Sequence, residues 1–227
     1  MRITVLGATG RTGRHVVEQA LGRGHTVRAL VRDPARLGVP AAVTTADAAA
    51  PTAARGTPPQ VEVVLGDVLD PEAVTRATAA TDAVVVVLGA PPRATDRVLT
   101  RGTQHAVAAM HRHGVRRLVV ETSFALDGGD RLAGPAGRLL VGFSRLFTGP
   151  LWADKASQEQ AVRDSRLDWT LVRPTTLSDG PATGSWTAAE EPRMRLSASI
   201  PRADVAAFLL DQLSDTTWSR RAVRLVP

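Results

Sequence analysis

The sequence predicts an α/β fold, a doubly wound parallel sheet with helices on both faces, and three observations lead there. Short apolar runs, Ile3 to Leu6, Thr26 to Val31, Val61 to Leu65 and Ala83 to Leu88, alternate with stretches of helical spacing. Such alternation implies parallel strands joined by right-handed crossovers. The runs are almost continuously apolar, as strands covered on both faces are. A glycine-rich segment, Gly7-Ala8-Thr9-Gly10-Arg11-Thr12-Gly13, joins the first strand to the first helix.

That segment sets the function as well as the fold. Glycines let the backbone turn tightly and approach a ligand, and the first helical N–H groups point outward without partners, so an anion is the natural occupant. The spacing is Gly-x-x-Gly-x-x-Gly rather than the Gly-x-Gly-x-x-Gly of the general dinucleotide fingerprint. Its place between the first strand and first helix, with a second apolar strand following, points to the diphosphate of a dinucleotide in a Rossmann-type sheet. The alternative is a tight turn with no ligand.

The first helix carries Val16, Val17, Ala20 and Leu21 at helical spacing and is closed by Gly22 and Gly24. After strand two comes a short helical piece, Arg32-Asp33-Pro34-Ala35-Arg36-Leu37. Residues 38–60, rich in Ala, Thr and Pro, read as an exposed insertion. Strand three leads to Gly66-Asp67-Val68, then to a helix from Pro71 capped by Asp70. Strand four ends at Leu88-Gly89-Ala90. A helix from about Thr95 to His113 stops at Gly114. Strand five, Arg117 to Glu121, runs into Thr122-Ser123-Phe124. Asp127 to Pro150 reads as a loop with a short helix over the carboxyl edge of the sheet. A helix from about Trp152 to Asp164 precedes strand six, Asp168 to Val172, which ends in Arg173-Pro174-Thr175. Residues 177–227 form a small C-terminal extension on the substrate side, with a helix from about Arg202 to Leu213 and a strand from Ala222 to Val226.

The 227 residues suit a single domain, with 44% hydrophobic and 22% charged residues. Without a leader pattern or an apolar run of spanning length, the expectation is a soluble cytoplasmic protein that meets no membrane, as a monomer or homodimer. The absence of cysteine excludes disulfides and thiolate chemistry. A sequence pI of 11.2 suggests nucleic acid, but the net charge is only +6. The arginines are scattered, and no aromatic residues are interleaved for base stacking, so no nucleic-acid partner is expected. Arg112, Arg116 and Arg117 read as a solvated helix-to-strand turn. His111 and His113 point to different faces of one helix, against a metal site. Of 28 basic residues, one alone is lysine, Lys155; either it survives by chance or its compact ammonium is needed there.

Ligands of such sheets lie across the carboxyl ends of the strands where strand order reverses. At those ends the chain resembles the atypical short-chain dehydrogenase/reductases of the NAD(P)-binding, NmrA-like group, nearest to its flavin reductase (biliverdin IXβ reductase) branch. The likeness rests on the Gly7 to Gly13 loop, Gly66-Asp67-Val68, the Gly102 to Ser123 segment and Leu171-Val172-Arg173-Pro174, and covers most of Met1 to Leu213. It implies a Rossmann-type fold that binds NADP (NADPH). Gly7, Thr9, Gly10, Arg11, Thr12 and Gly13 would hold the diphosphate. Asp67 and Val68 would flank the adenine, and Arg32 and Arg36 would meet the 2′-phosphate. Leu88, Gly89, Ala90, Thr122, Pro174 and Thr175 complete the cofactor wall. The physical reading agrees where NAD-selective folds need a carboxylate and this chain has Arg32. Asp33 beside it complicates the choice, and Pro34 suggests that Asp33 caps the short helix while Arg32 faces the ligand.

Lys155 looks like the family's lysine on the helix before the Arg-Pro strand, which bonds the nicotinamide ribose. The family's tyrosine proton donor, four residues earlier, is replaced by Leu151, and the chain has no tyrosine. Reducing an isolated ketone needs a positioned acid, worth roughly 10²–10⁴-fold. A flavin, a quinone or another conjugated planar acceptor spreads the incoming charge and takes its proton from water. The expectation is therefore an NADPH-dependent oxidoreductase acting on such a small molecule, with Ser123 and Lys155 as catalytic residues. Ser123 could instead satisfy backbone at a strand end. Phe124, Phe143, Phe147 and Trp152 could wall the acceptor or belong to the core. The alternative to an enzyme is an NmrA-like sensor that binds dinucleotide without turnover.

Overall fold

In the computed structural model, the first four apolar runs form strands β1 (Arg2–Leu6), β2 (Thr26–Val31), β3 (Val61–Leu65) and β4 (Ala83–Val86). They are followed by β5 (Arg117–Glu121), β6 (Asp168–Pro174), β7 (Thr176–Ser178), β8 (Thr187–Ala189), β9 (Ser199–Pro201) and β10 (Arg221–Val226). The helices are α1 (Arg11–Gly22), α2 (Pro71–Thr78), α3 (Val98–His113), α4 (Gly134–Asp164) and α5 (Arg202–Asp211). The structure describes residues 1–38, 60–91, 94–126, 134–192 and 198–227, with the backbone alone at 136–138, 140–141 and 144–147. The expected insertion at 38–60 and the loop at 127–133 therefore lie almost wholly outside the described residues.

Eight strands form one sheet in the order β3-β2-β1-β4-β5-β6-β10-β8, parallel except for β8. Strand order reverses between β1 and β4, where Leu6 pairs with Leu30 on one side and Val86 on the other. Alternation sends Val5, Val85, Val119 and Val172 to one face, against Val16, Val17 and Ala20 of α1 and Val205 and Leu209 of α5. Leu6, Val84, Val86, Val120 and Leu171 go to the other, under Val74 of α2, Met110 of α3 and Val162 of α4. Thr4 is a buried polar residue on that face; its hydroxyl donates to the Ala77 carbonyl at 2.7 Å in the last turn of α2.

Several differences from the sequence reading have physical causes. Helix α3 starts at Val98, not Thr95, because Arg97 is left-handed (φ 52°). Its first amides are capped from another helix: the buried Asp154 carboxylate of α4 accepts Leu99 N–H at 3.0 Å and Thr100 N–H at 2.9 Å. The stretch read as mainly loop before Pro150 is largely helical from Gly134, and joins the next helix across a kink at Thr148, ahead of Pro150. Arg117 is not solvated. It lies buried in the sheet, donating to the Gln212 carbonyl at 2.7 Å and to Thr170 Oγ1 at 2.8 Å. The C-terminal part joins the main sheet through β10, which pairs in parallel beside β6. From β10, the buried Arg224 guanidinium donates to the carbonyls of Phe124 and Leu126, just after β5.

At the crevice the backbones are crowded. Gly7 has φ 94° and lies against the Val87 carbonyl, and a Cβ at Gly13 would drive into the Gly7 carbonyl. Gly13→Ala is expected to lower stability by about 1–3 kcal/mol, the usual range for overpacking; denaturant unfolding checks this, and an unchanged midpoint would contradict the close packing of α1 on β1.

Candidate active site

The switch point opens into a cavity of about 700 Å³ lined by Gly7, Thr9 and Gly10 at one end and by Arg32, Arg36, Asp67 and Val68 at the other. Helix α1 begins at Arg11 after Gly10, which offers no side-chain cap, and no acidic residue stands in its first turn. The helix start therefore has no carboxylate of its own against its positive end, which faces the cavity. Asp33 turns to the short helix after β2, its carboxylate accepting Ala35 N–H at 3.0 Å. Arg32 stays exposed at the cavity rim, 3.5 Å from the Asp67 carboxylate. That carboxylate also accepts Leu69 N–H at 2.9 Å, and the Val68 carbonyl is held by the His105 ring at 2.8 Å.

A second cavity of about 210 Å³ adjoins the first through Gly10, Val87, Leu88 and Gly89. Arg11, Thr12, Glu121, Thr122 and Lys155 line it, with Leu177 and Arg202 from the C-terminal part. Lys155 donates to the Thr122 carbonyl at 3.1 Å. One turn on, Glu159 accepts the Thr122 hydroxyl at 2.7 Å and takes the buried Arg173 guanidinium in a two-point pair, 2.9 Å and 2.5 Å. Positions i and i+4 of α4 thus grip the same residue at the end of β5.

Burial pushes the Glu121 carboxyl up, while Lys155, the Thr12 hydroxyl and Arg202 pull it the other way. Burial likewise lowers Lys155, with Glu121 the strongest opposing charge. Thr12 Oγ1 lies 3.4 Å from Glu121. Glu121, Arg202 and Leu177 were not singled out from the sequence. Glu121 ends an apolar strand, where a carboxylate has no packing reason to be; that signal was available.

Of the residues expected at the site, Gly7, Thr9, Gly10, Arg11, Thr12, Arg32, Arg36, Asp67, Val68, Leu88, Gly89, Thr122 and Lys155 line one or both cavities. Gly13, Ala90, Ser123, Pro174 and Thr175 line neither. Gly13 is taken up in packing α1 against Gly7. Pro174 and Thr175 are buried, and the Thr175 hydroxyl has no hydrogen-bond partner among the described residues. Phe124 is buried under the Arg224 guanidinium, and Phe143 is exposed. The Phe147 side chain lies outside the described residues.

Residues 7–216 match the model of a protein family described as NAD(P)H-binding. The chain belongs to that family. Among curated relatives of this NAD(P)H-binding chain is a 3-diazoavenalumate denitrifying reductase from a Streptomyces species, 37% identical over 81% of the chain and 58% of its own length. A (4-alkanoyl-5-oxo-2,5-dihydrofuran-3-yl)methyl phosphate reductase from Streptomyces griseus is 33% identical over 97% of the chain and 66% of its own length. The chain thus spans less than two thirds of each of these two relatives. A solved oxidoreductase from Lactococcus lactis shares the fold, with a TM-score of 0.76 and 19% identity over 99% of this chain and 90% of that one. No helix among the described residues is long and apolar enough to cross a membrane.

A carboxyl whose pKa is raised in the folded state contributes stability that is fully present below its unfolded value and is lost as pH rises through the folded value. The wild type is therefore expected to fare best against Glu121→Gln at about pH 4 and progressively worse toward about pH 8. Melting temperatures across that range measure it. A constant difference would place Glu121 at an ordinary carboxylate pKa.

Proposed function

We propose that this protein is an NAD(P)H-dependent reductase that favours NADPH and passes a hydride to a conjugated, planar small molecule. The observation that carries the reading is the pair of joined cavities: a long one at a bare helix start with two arginines at its far end, and a short one floored by Lys155. In this reading the larger cavity takes the adenosine and diphosphate, with the α1 amides and the Gly7 to Thr12 loop on the phosphates. Arg32 and Arg36 meet the 2′-phosphate. Arg32 is exposed at the rim for this role, while the Asp33 carboxylate turns to the short helix and accepts Ala35 N–H. The Lys155 ammonium has three donors, one of them committed to Thr122; the others serve a ribose hydroxyl at the nicotinamide end. Glu159 and Arg173 hold Thr122 and α4 in register and so position the lysine.

The bound nicotinamide supplies the hydride. What the protein supplies is placement, and the absence of tyrosine suits an acceptor that spreads the added charge and is protonated from water. Both reductases named above support the reaction class. The acceptor class and the preference for NADPH rest on the residues alone.

Following NADPH absorbance with FMN, a small quinone or dichlorophenolindophenol added is expected to show acceptor-dependent oxidation. Tight binding with no oxidation of NADPH by any of these acceptors would favour the sensor reading. Arg32→Ala should weaken NADPH about tenfold and NADH by less than about twofold, the loss of one charge-assisted contact. Equal losses in a fluorescence titration would place recognition of the phosphate elsewhere.

A further inference from the structure

The second cavity has a feature that holding a dinucleotide does not require. Strands β7 and β9 pair in parallel, Thr176 with Ser199 and Ser178 with Pro201. The next residues in register are Asp179 and Arg202. Arg202 is the first residue of α5, where a cation opposes the helix dipole, so helix stability does not explain it. Its side chain is 8% exposed, lies in the cavity wall, and donates to Asp179 at 2.6 Å. The other oxygen of the same carboxylate meets Arg11 at 3.1 Å. Asp179 itself is 62% exposed and Arg11 67%.

One exposed carboxylate thus sits between two guanidiniums at the mouth of a cavity that also holds Lys155 and Glu121. The chain is fixed on both sides of it. The β7–β9 ladder precedes it, and Thr183 and Gly184 are bound through their N–H groups to the buried Asp204 carboxylate. Asp179 can therefore leave by rotating its side chain, with no change of backbone. Exposed pairs such as Arg11–Asp179 contribute little, so exchange for an external anion is nearly balanced. Arg202, largely out of water, gains most from whichever anion occupies the place.

We propose that Arg202 and Arg11 form an anion subsite for the acceptor, and that Asp179 occupies it until a phosphate or carboxylate group on that molecule displaces it. The inference rests on the reductase reading and narrows it: the substrate is a planar acceptor carrying an anionic group, held by that group while its ring enters the cavity.

FMN and riboflavin share one ring system and differ by a phosphate. Fluorescence titration of each into the protein without dinucleotide is expected to show FMN bound roughly tenfold more tightly, the worth of one or two charge-assisted contacts. Asp179→Asn, at an exposed position, should tighten FMN several-fold and leave riboflavin unchanged. Arg202→Gln should bring FMN down to riboflavin. Failure of FMN to bind, equal binding of the two flavins, or weaker FMN binding in Asp179→Asn would overturn the proposal. A parallel NADPH titration separates the phosphate sources. If Arg202→Gln weakens NADPH and leaves FMN unchanged, the arginine serves the dinucleotide and the subsite is refuted. Because these titrations involve no turnover, they decide the subsite even if NADPH is never oxidised.

Discussion

At Gly7 three pieces of backbone come together: the end of β1, the first turn of α1 beneath it at Gly13, and the segment after β4 at Val87. The Val87 amide bonds the Leu6 carbonyl at 2.9 Å, and neither glycine has room for a Cβ. This contact sets how far the sheet opens where strand order reverses, and it aims the bare start of α1 at the opening. Both cavities share the walls it creates, Gly10 on one side and Val87 to Gly89 on the other. Without it there would be an α/β sheet but no opening at the switch point.

Charge is then distributed by depth. At the rim, Arg32 and Asp67 are solvated, and their attraction is weak and salt-sensitive. Deeper, Glu159 and Arg173 are almost fully buried and bonded at two points, with Thr122 taking a further lone pair. A buried pair of this kind adds little net stability, but loss of one partner strands the other, so it fixes geometry more than it stabilises the fold. Here the geometry is that of Thr122 and, through it, Lys155. The rim is free to exchange partners with a ligand while the floor is not.

The sheet and the crevice were legible in the sequence because they depend on local patterns. Apolar runs of four to six residues, a glycine-rich turn and Asp70-Pro71 at a helix start each carry their own signal. The unpredicted features depend on contacts distant along the chain. Asp154 caps α3 from 55 residues away, and Arg117 reaches Gln212 across 95. Strands β7, β8 and β9 have three residues each, too few to show a period. Arg202 is one of 27 arginines, and only the pairing of β7 with β9 sets it beside Asp179. The single lysine gave the opposite case, a position visible by composition before any contact was known.

Residues 124 and 126, just after β5, are held from β10 through Arg224, whose guanidinium donates to both carbonyls across about 100 residues of sequence. β10 is also translated after every other strand of the sheet. As the chain emerges from the ribosome, β1 to β6 are complete while the segment at Ser123 still lacks its tether. The last strand made is therefore the one that fastens residues 124 and 126, so the end of the chain completes a wall begun about 100 residues earlier.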